Sequence, residues 1–384
     1  MFNFDFYNPT RVLFGADRIK DIAKHIPENA RVLITYGGGS AKKYGTLDEV
    51  KAALGSRTNF EFGGIEVNPH FETLMKAVTL VKEHQIDFLL AVGGGSVVDG
   101  TKFIAAAACY DGDIWPLWSK RQPLEKALPL GCVMTLPATG SETNHVSVVT
   151  HTGLGQKTGY SDPLLFPKFA LLDPTKTYTL PTTQVANGVV DAFIHVIEQY
   201  LTYPVYGKVQ DRFAEGIMLT LLEEGPKALS DPENYDVRSA IIWSATLALN
   251  GLIAAGVPQD WSTHRIGHQL TALYGIDHAQ TLVVLLPSLL QVQRESKKEK
   301  LLQYAERVWN IVEGDDESRI DAAIAKTREF FELMGLKTRL SDYGQPKTAI
   351  NEILDNLQRF DMLPMGERQD IDFERAKTIL TLSY

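Results

Sequence analysis

Short apolar runs alternate with longer amphipathic stretches through the first half of the chain. Residues 31–36 (Arg-Val-Leu-Ile-Thr-Tyr) read as a strand and run straight into Gly37-Gly38-Gly39-Ser40. A helical pattern follows over 41–54, with Gly55 as its stop signal. Residues 60–62 predict a second strand, and 74–84 a helix with Leu74, Ala77, Val78 and Val81 on one face. The run 87–92 is nearly all apolar, as a parallel strand covered on both faces should be. Gly93-Gly94-Gly95-Ser96 comes next and opens a helix to about 108, and 130–135 gives one more strand. This alternation predicts a parallel sheet with helices on both faces.

Near Asp173-Pro174 the rhythm changes. Helical patterns occupy 183–201, 206–229, 236–255, 260–274, 296–312 and 317–334, with no clear strand among them. The expected fold class is therefore α/β: a Rossmann-like parallel-sheet domain over 1–178, then an all-helical domain over 179–384. Ligands commonly bind where two domains of this kind meet. A length of 384 residues suits two domains, and 44% hydrophobic with 22% charged residues can build large cores. A disordered or collagen-like chain is thereby excluded.

The net charge of −9 leaves no overall basic footprint, which argues against nucleic acid or an anionic membrane surface as partner. The most membrane-like stretch, 240–257, is broken by Ser244, Thr246, Asn250, Gly251 and Gly256 and reads as a buried helix, so no membrane span is expected. Cys109 and Cys132 lie in apolar stretches and read as buried free thiols. The first residues show no basic region ahead of an apolar one, so no secretory leader is expected, and the chain reads as cytoplasmic.

A strand entering three glycines and a serine, then a helix, can hold a phosphate. The glycines let the backbone approach the oxygens, and the first helical N–H groups favour negative charge. Any strand-to-helix turn could share this composition, and neither turn matches the usual dinucleotide or Walker pattern, since position 98 is valine. Two such turns in one α/β domain nonetheless point to a dinucleotide. The second, Gly93 to Ser96, suits a pyrophosphate. The first, Gly37 to Ser40, stands where an NAD-binding domain often has a carboxylate for the ribose hydroxyls. It has none, and Lys42 and Lys43 follow, which favours a 2′-phosphate and hence NADP(H). A third polar segment, Thr135 to Asn144, follows a strand as a cofactor wall or an ordinary capped turn would.

In the helical half, Asp191 and His195 stand four apart on one face of an apolar pattern that implies burial. An unpaired carboxylate there would be costly, and either a cation or a nearby Lys or Arg would relieve it. His264 and His268 are likewise one turn apart, on a helix that Gly275 should end, and His278 is placed in the loop beyond. Three imidazoles and one carboxylate suit Zn2+ or Fe2+, but spacing does not say which three histidines ligate.

Four segments in this order resemble the iron-containing alcohol dehydrogenase superfamily, and within it the bacterial NADPH-dependent aldehyde reductase branch. They are Gly93-Gly94-Gly95-Ser96-x-x-Asp99-x-x-Lys102, Thr135-Leu136-Pro137-Ala138-Thr139-Gly140-Ser141-Glu142, Leu172-Asp173-Pro174 leading to Asp191-x-x-x-His195-x-x-Glu198, and His264-x-x-x-His268 with His278-Ala279. The resemblance covers nearly the whole chain and implies the two-domain architecture shared with dehydroquinate synthases. It implies one divalent ion, Fe2+ or Zn2+, held by Asp191, His195, His264 and His278, with His268 left to face nicotinamide and substrate. It also places Gly93, Gly94, Gly95, Ser96 and Asp99 at the pyrophosphate. Thr135, Thr139, Asn144 and Lys157 would line the rest of the groove, Thr179 would lie near the adenosine, and Gly37, Gly38, Gly39 and Ser40 at the 2′-phosphate. A homodimer is implied as well.

The function expected is hydride transfer between NADPH and short-chain aldehydes, with primary alcohol oxidation as the reverse. His268, or water relayed through it, is the candidate proton donor. A rival is a metal-dependent cyclase or lyase on the same scaffold. It would need basic residues around a phosphorylated substrate, and only Arg265 and the more distant Arg212 are at hand. A non-catalytic nucleotide- or metal-binding protein is the third reading.

Overall fold

The structure, a computed structural model, describes residues 1–384. The chain divides into two compact units, one of Tyr7–Pro181 with Pro232–Asn250 and one of Met1–Phe6, Thr182–Asp231 and Gly251–Tyr384. The first unit holds eight strands: β1 (Arg11–Phe14), β2 (Val32–Tyr36), β3 (Asn59–Phe62), β4 (Phe88–Gly94), β5 (Leu130–Leu136), β6 (Val146–His151), β7 (Gln156–Ser161) and β8 (Phe169–Leu172). Six form one sheet in the order β1-β8-β5-β4-β2-β3, parallel throughout. β6 and β7 form a separate antiparallel pair. Helices of this unit are α1 (Ser40–Lys43), α2 (Thr46–Leu54), α3 (Phe71–Glu83), α4 (Gly95–Ala107) and α5 (Trp115–Ser119).

Strand composition follows from position in the sheet. The central strands β2, β4, β5 and β8 are buried along most of their length, whereas edge strand β3, Asn-Phe-Glu-Phe, stays partly exposed. Alternate residues feed opposite faces. Ile34, Leu90, Val92 and Val133 pack with Leu47, Val50 and Leu54 of α2 on one side. Leu33, Leu89, Ala91 and Cys132 pack with Leu74, Val78, Val98 and Ile104 of α3 and α4 on the other. From β2 the chain moves out to β3, and from β4 it moves the opposite way to β5. The carboxyl ends of β2 and β4 thus flank the point where the winding reverses, which is where open α/β sheets bind ligands.

The second unit consists of α6 (Thr182–Tyr200), α7 (Lys208–Ser230), α9 (Ser262–Tyr274), α10 (His278–Val292), α11 (Lys298–Trp309), α12 (Asp316–Leu333), α13 (Ala349–Arg359) and α14 (Phe373–Leu382). The intervening helix α8 (Tyr235–Ala248) belongs to the first unit. Every residue of α6 from Val185 to Tyr200 is buried. No helix is long and apolar enough to cross a membrane.

Four expectations need correction. The helix over 41–54 is two pieces, because Gly45 takes a left-handed backbone (φ 79°) between α1 and α2. The helix over 236–255 stops at Ala248, ahead of left-handed Gly251 and Gly256. His278 does not lie in a loop but is the first residue of α10. The stretch Pro232–Asn250 belongs to the compact unit of the sheet and not to that of the later helices.

Candidate metal centre and dinucleotide site

Asp191 and His195 project from the same face of α6, one turn apart. His264 stands in the first turn of α9, and His278 opens α10. From Asp191 Oδ1, the distances are 3.6 Å to His195 Nδ1, 3.9 Å to His264 Nε2 and 3.8 Å to His278 Nε2. Asp191 and His195 are almost wholly buried, and the His278 side chain is 21% exposed. Asp191, His195 and His264 bring one donor atom each to within 4.8 Å of one another.

These residues fit a divalent ion. His195 Nδ1 is buried and makes no hydrogen bond, so this polar nitrogen lacks the partner that burial ordinarily demands. Burial also holds the His195 imidazole far below its ordinary value, at about 4, which keeps it neutral as a ligand must be. The spacings around Asp191 Oδ1 are those of donors sharing one ion at bond lengths of about 2.0–2.2 Å. Three imidazoles with one carboxylate form an intermediate donor set suited to iron or zinc.

Glu198, three residues beyond His195, gains a role from the structure that spacing does not show. Its Oε2 bonds His264 Nδ1, and its Oε1 accepts from Thr263 N at 2.6 Å. Burial, reinforced by the nearby Asp260 carboxylate, raises its pKa. The available signal was a carboxylate three residues after His195 on a buried helix, where it had to have a partner. Trp261 gave no signal at all. Its backbone is left-handed (φ 71°), and its ring lies 5.3 Å from the His264 ring and 6.1 Å from the His195 ring. His268, half-buried one turn beyond His264, has its ring 5.4 Å from that of His278.

In the first unit, β4 passes directly into α4 at Gly94-Gly95. A Cβ on Gly95 would stand 2.3 Å from Thr139 Oγ1, so glycine here lets the β5 loop close on the start of α4. Gly37 lies beside the same turn, since a Cβ on it would meet Val97 at 3.5 Å. Gly38 and Ser40 are exposed, as are Lys42 and Lys43, while Gly39 is half-buried with φ 104°. Asn68 N donates to Ser96 Oγ at 3.2 Å, and Asn68 Oδ1 accepts from Lys157 Nζ at 2.8 Å. Asn68 therefore links Lys157 to the glycine turn, a role that sequence spacing did not reveal. Thr135 sits one residue from the end of β5, and Thr179 is exposed just ahead of α6.

Asp99 and Asn144, the residues expected at the pyrophosphate and along the rest of the groove, stand in one buried hydrogen-bond network. Asp99 is buried, with Oδ1 accepting from Ser141 Oγ at 2.5 Å and Oδ2 from Val148 N at 3.1 Å. Lys102, fully buried, donates to Ser141 Oγ at 2.9 Å, Asn144 Oδ1 at 3.1 Å and Val146 O at 2.7 Å. Burial pulls the Lys102 ammonium down to about 8. Three acceptors for three N–H groups match the charged form at neutral pH. Together these bonds brace α4 against the loop that follows β5.

Two family models between them match most of the chain. Residues 9–174 match the family model described as iron-containing alcohol dehydrogenase, and residues 185–380 match its C-terminal counterpart. The chain is 58% identical to the NADPH-dependent aldehyde reductase YqhD of Escherichia coli, over 99% of each protein. A crystal structure of that E. coli protein superposes with a TM-score of 0.99, covering 100% of this chain and 99% of the other. The structure of NADH-dependent butanol dehydrogenase A from Thermotoga maritima, 33% identical, superposes at 0.95 with 100% and 99% covered. The chain belongs to the iron-containing alcohol dehydrogenase family.

Proposed function

We propose that the chain is an NADP(H)-dependent alcohol dehydrogenase and aldehyde reductase that interconverts short-chain aldehydes and primary alcohols with one divalent ion, Fe2+ or Zn2+. The observation that carries the reading is the convergence of three imidazole nitrogens to within 3.9 Å of the buried Asp191 carboxylate. When bound, the dinucleotide supplies the hydride and the ion stabilises negative charge growing on the carbonyl oxygen.

Asp191, His195, His264 and His278 hold the ion. Glu198 accepts a hydrogen bond from His264 Nδ1–H and so leaves Nε2 for the ion. His268, outside this set, gives a proton to the product oxygen during reduction. Gly93 to Ser96 hold the pyrophosphate against the first turn of α4. Thr135, Thr139 and Lys157 line the remaining groove, with Asp99 and Asn144 bracing it from below. Thr179 lies toward the adenosine. The Gly37 to Ser40 turn, with no carboxylate and with exposed Lys42 and Lys43, takes the 2′-phosphate. The E. coli relative is named for NADPH as well. A phosphorylated cyclase substrate has less support, since Arg212 is tied to Glu215 on α7 at 2.5 Å.

The test is NADPH oxidation with butanal, run beside NADH, after chelation and again after adding metal back. Metal-dependent consumption that is much faster with NADPH is the expected result. Intact, metal-loaded protein that consumes neither cofactor with any simple aldehyde would overturn the proposal.

A further inference from the structure

The loop leading into α9 is fastened by a buried ion pair that no part of the proposed reaction uses. Lys297, 1% exposed and immediately ahead of α11, places its ammonium 2.9 Å from Asp260 Oδ2. The same ammonium reaches Glu367 Oε1 at 2.8 Å and Oε2 at 2.9 Å, and it donates to Leu201 O at 2.7 Å, just past the end of α6. Asp260 in turn accepts from both Ser262 N, at 2.9 Å, and Ser262 Oγ at the first residue of α9. Asp260 N donates to Glu198 O at 2.8 Å. Gly366, with φ 92°, lies over this junction, its Cβ position 3.4 Å from Ser262 Oγ.

Two carboxylates therefore seat the first turn of α9. Glu198 takes Thr263 N and the His264 ring, and Asp260 takes Ser262 N. Carboxylates at a helix start satisfy its free N–H groups and favour its dipole. Trp261 lies between them in a left-handed conformation that a bulky residue adopts only when its surroundings impose it. A buried Asp260 could not remain charged without a counter-ion, and Lys297 provides one while tying α6, α9 and the segment around Glu367 to a single nitrogen.

We propose that the Lys297–Asp260 pair is a positioning device for the metal centre: it fixes the start of α9 and thereby where His264 presents its ligating nitrogen. The inference rests on the metal site proposed above. Glu367 bonds the ammonium through both carboxylate oxygens but makes no hydrogen bond to α9, so its loss should lower stability without moving His264.

The experiment measures Zn2+ affinity by chelator competition, and the melting temperature of the metal-free full-length protein, for wild type, Asp260→Asn, Lys297→Met and Glu367→Gln. Asp260→Asn preserves size while breaking the ion pair, and it answers the question alone should Lys297→Met not fold. The expected result is a loss of about tenfold or more in Zn2+ affinity for Asp260→Asn and Lys297→Met. Glu367→Gln should melt earlier yet bind Zn2+ like wild type. An Asp260→Asn affinity equal to that of wild type overturns the proposal. So does a loss of affinity that simply follows melting temperature across all three variants. Wild-type protein that binds no Zn2+ would instead overturn the metal site itself.

Discussion

Glu198 engages His264 Nδ1, and that choice leaves Nε2 as the nitrogen 3.9 Å from Asp191 Oδ1. A residue outside the proposed ligand set would thus decide which tautomer of His264 is available to the ion. Replacing it by Glu198→Leu should weaken Zn2+ binding by about 10–100-fold in a chelator competition. Wild-type affinity in that variant would remove Glu198 from the site. His195→Ala deletes a buried donor outright, and both metal content and turnover should be lost. NADPH binding, followed by cofactor fluorescence, should persist, because every residue assigned to the dinucleotide lies within Tyr7–Pro181. If the variant retains metal and activity, the ligand assignment fails. At exposed Ser40, an aspartate would repel a 2′-phosphate and offer a partner to ribose hydroxyls. Ser40→Asp should lower kcat/KM with NADPH by about tenfold or more, the worth of roughly 1.4 kcal/mol, while raising it with NADH. Unchanged cofactor preference would place the 2′-phosphate elsewhere.

Among the elements, α4 is closely hemmed in, with twelve of its thirteen residues buried. Its first turn meets Thr139 so closely that a methyl at Gly95 would fall 2.3 Å from the hydroxyl oxygen. Gly95→Ala should destabilise the fold by about 1–3 kcal/mol and weaken NADPH binding, as read from urea midpoints and a fluorescence titration. Wild-type affinity would mean that the turn does not hold the pyrophosphate. Two turns on, burial lowers Lys102 from an ordinary 10.5 to about 8. Between those values the unfolded chain holds a proton that the folded chain has released, so this group makes stability rise with pH across that window. Lys102→Met should remove that rise from a series of urea midpoints, and an identical slope in the variant would deny Lys102 the effect. Elements whose period matched their burial were legible in the sequence: β4 as an apolar run, α3 and α6 as helices, and Asp191 with His195 on one face. α10 was not. Its core, Thr-Leu-Val-Val-Leu-Leu-Pro-Ser-Leu-Leu, is buried on all sides and so has no amphipathic period, and Pro287 interrupts it. β1 and β8, at four residues each, were too short to read, and polar β7 resembles a loop. Spacing within one helix could pair Asp191 with His195, but bringing His264 and His278 to them required tertiary structure.

Across the whole molecule, each proposed ligand is held by residues of one unit alone. The proposed metal donors come from α6, α9 and α10, while the residues proposed for the dinucleotide come from strands, helices and loops of the unit that holds the parallel sheet. A ligand that binds only folded protein stabilises it by an amount set by its concentration relative to its dissociation constant, about 2.7 kcal/mol at a hundredfold excess. The donors lie at 191, 195, 264 and 278, so an ion there joins segments up to 87 residues apart that packing alone would otherwise keep in register. Chelation should therefore lower the melting temperature, and Zn2+ added back should restore it in proportion to the logarithm of its concentration. NADPH should raise the melting temperature of the chelated protein too, because its residues are not those that the chelator strips. Sites that share no residues should give increments that nearly add. Calorimetry with metal, cofactor, both and neither tests this directly. A chelated protein on which NADPH has no effect would mean that the dinucleotide site forms only when Asp191 and the three histidines are loaded.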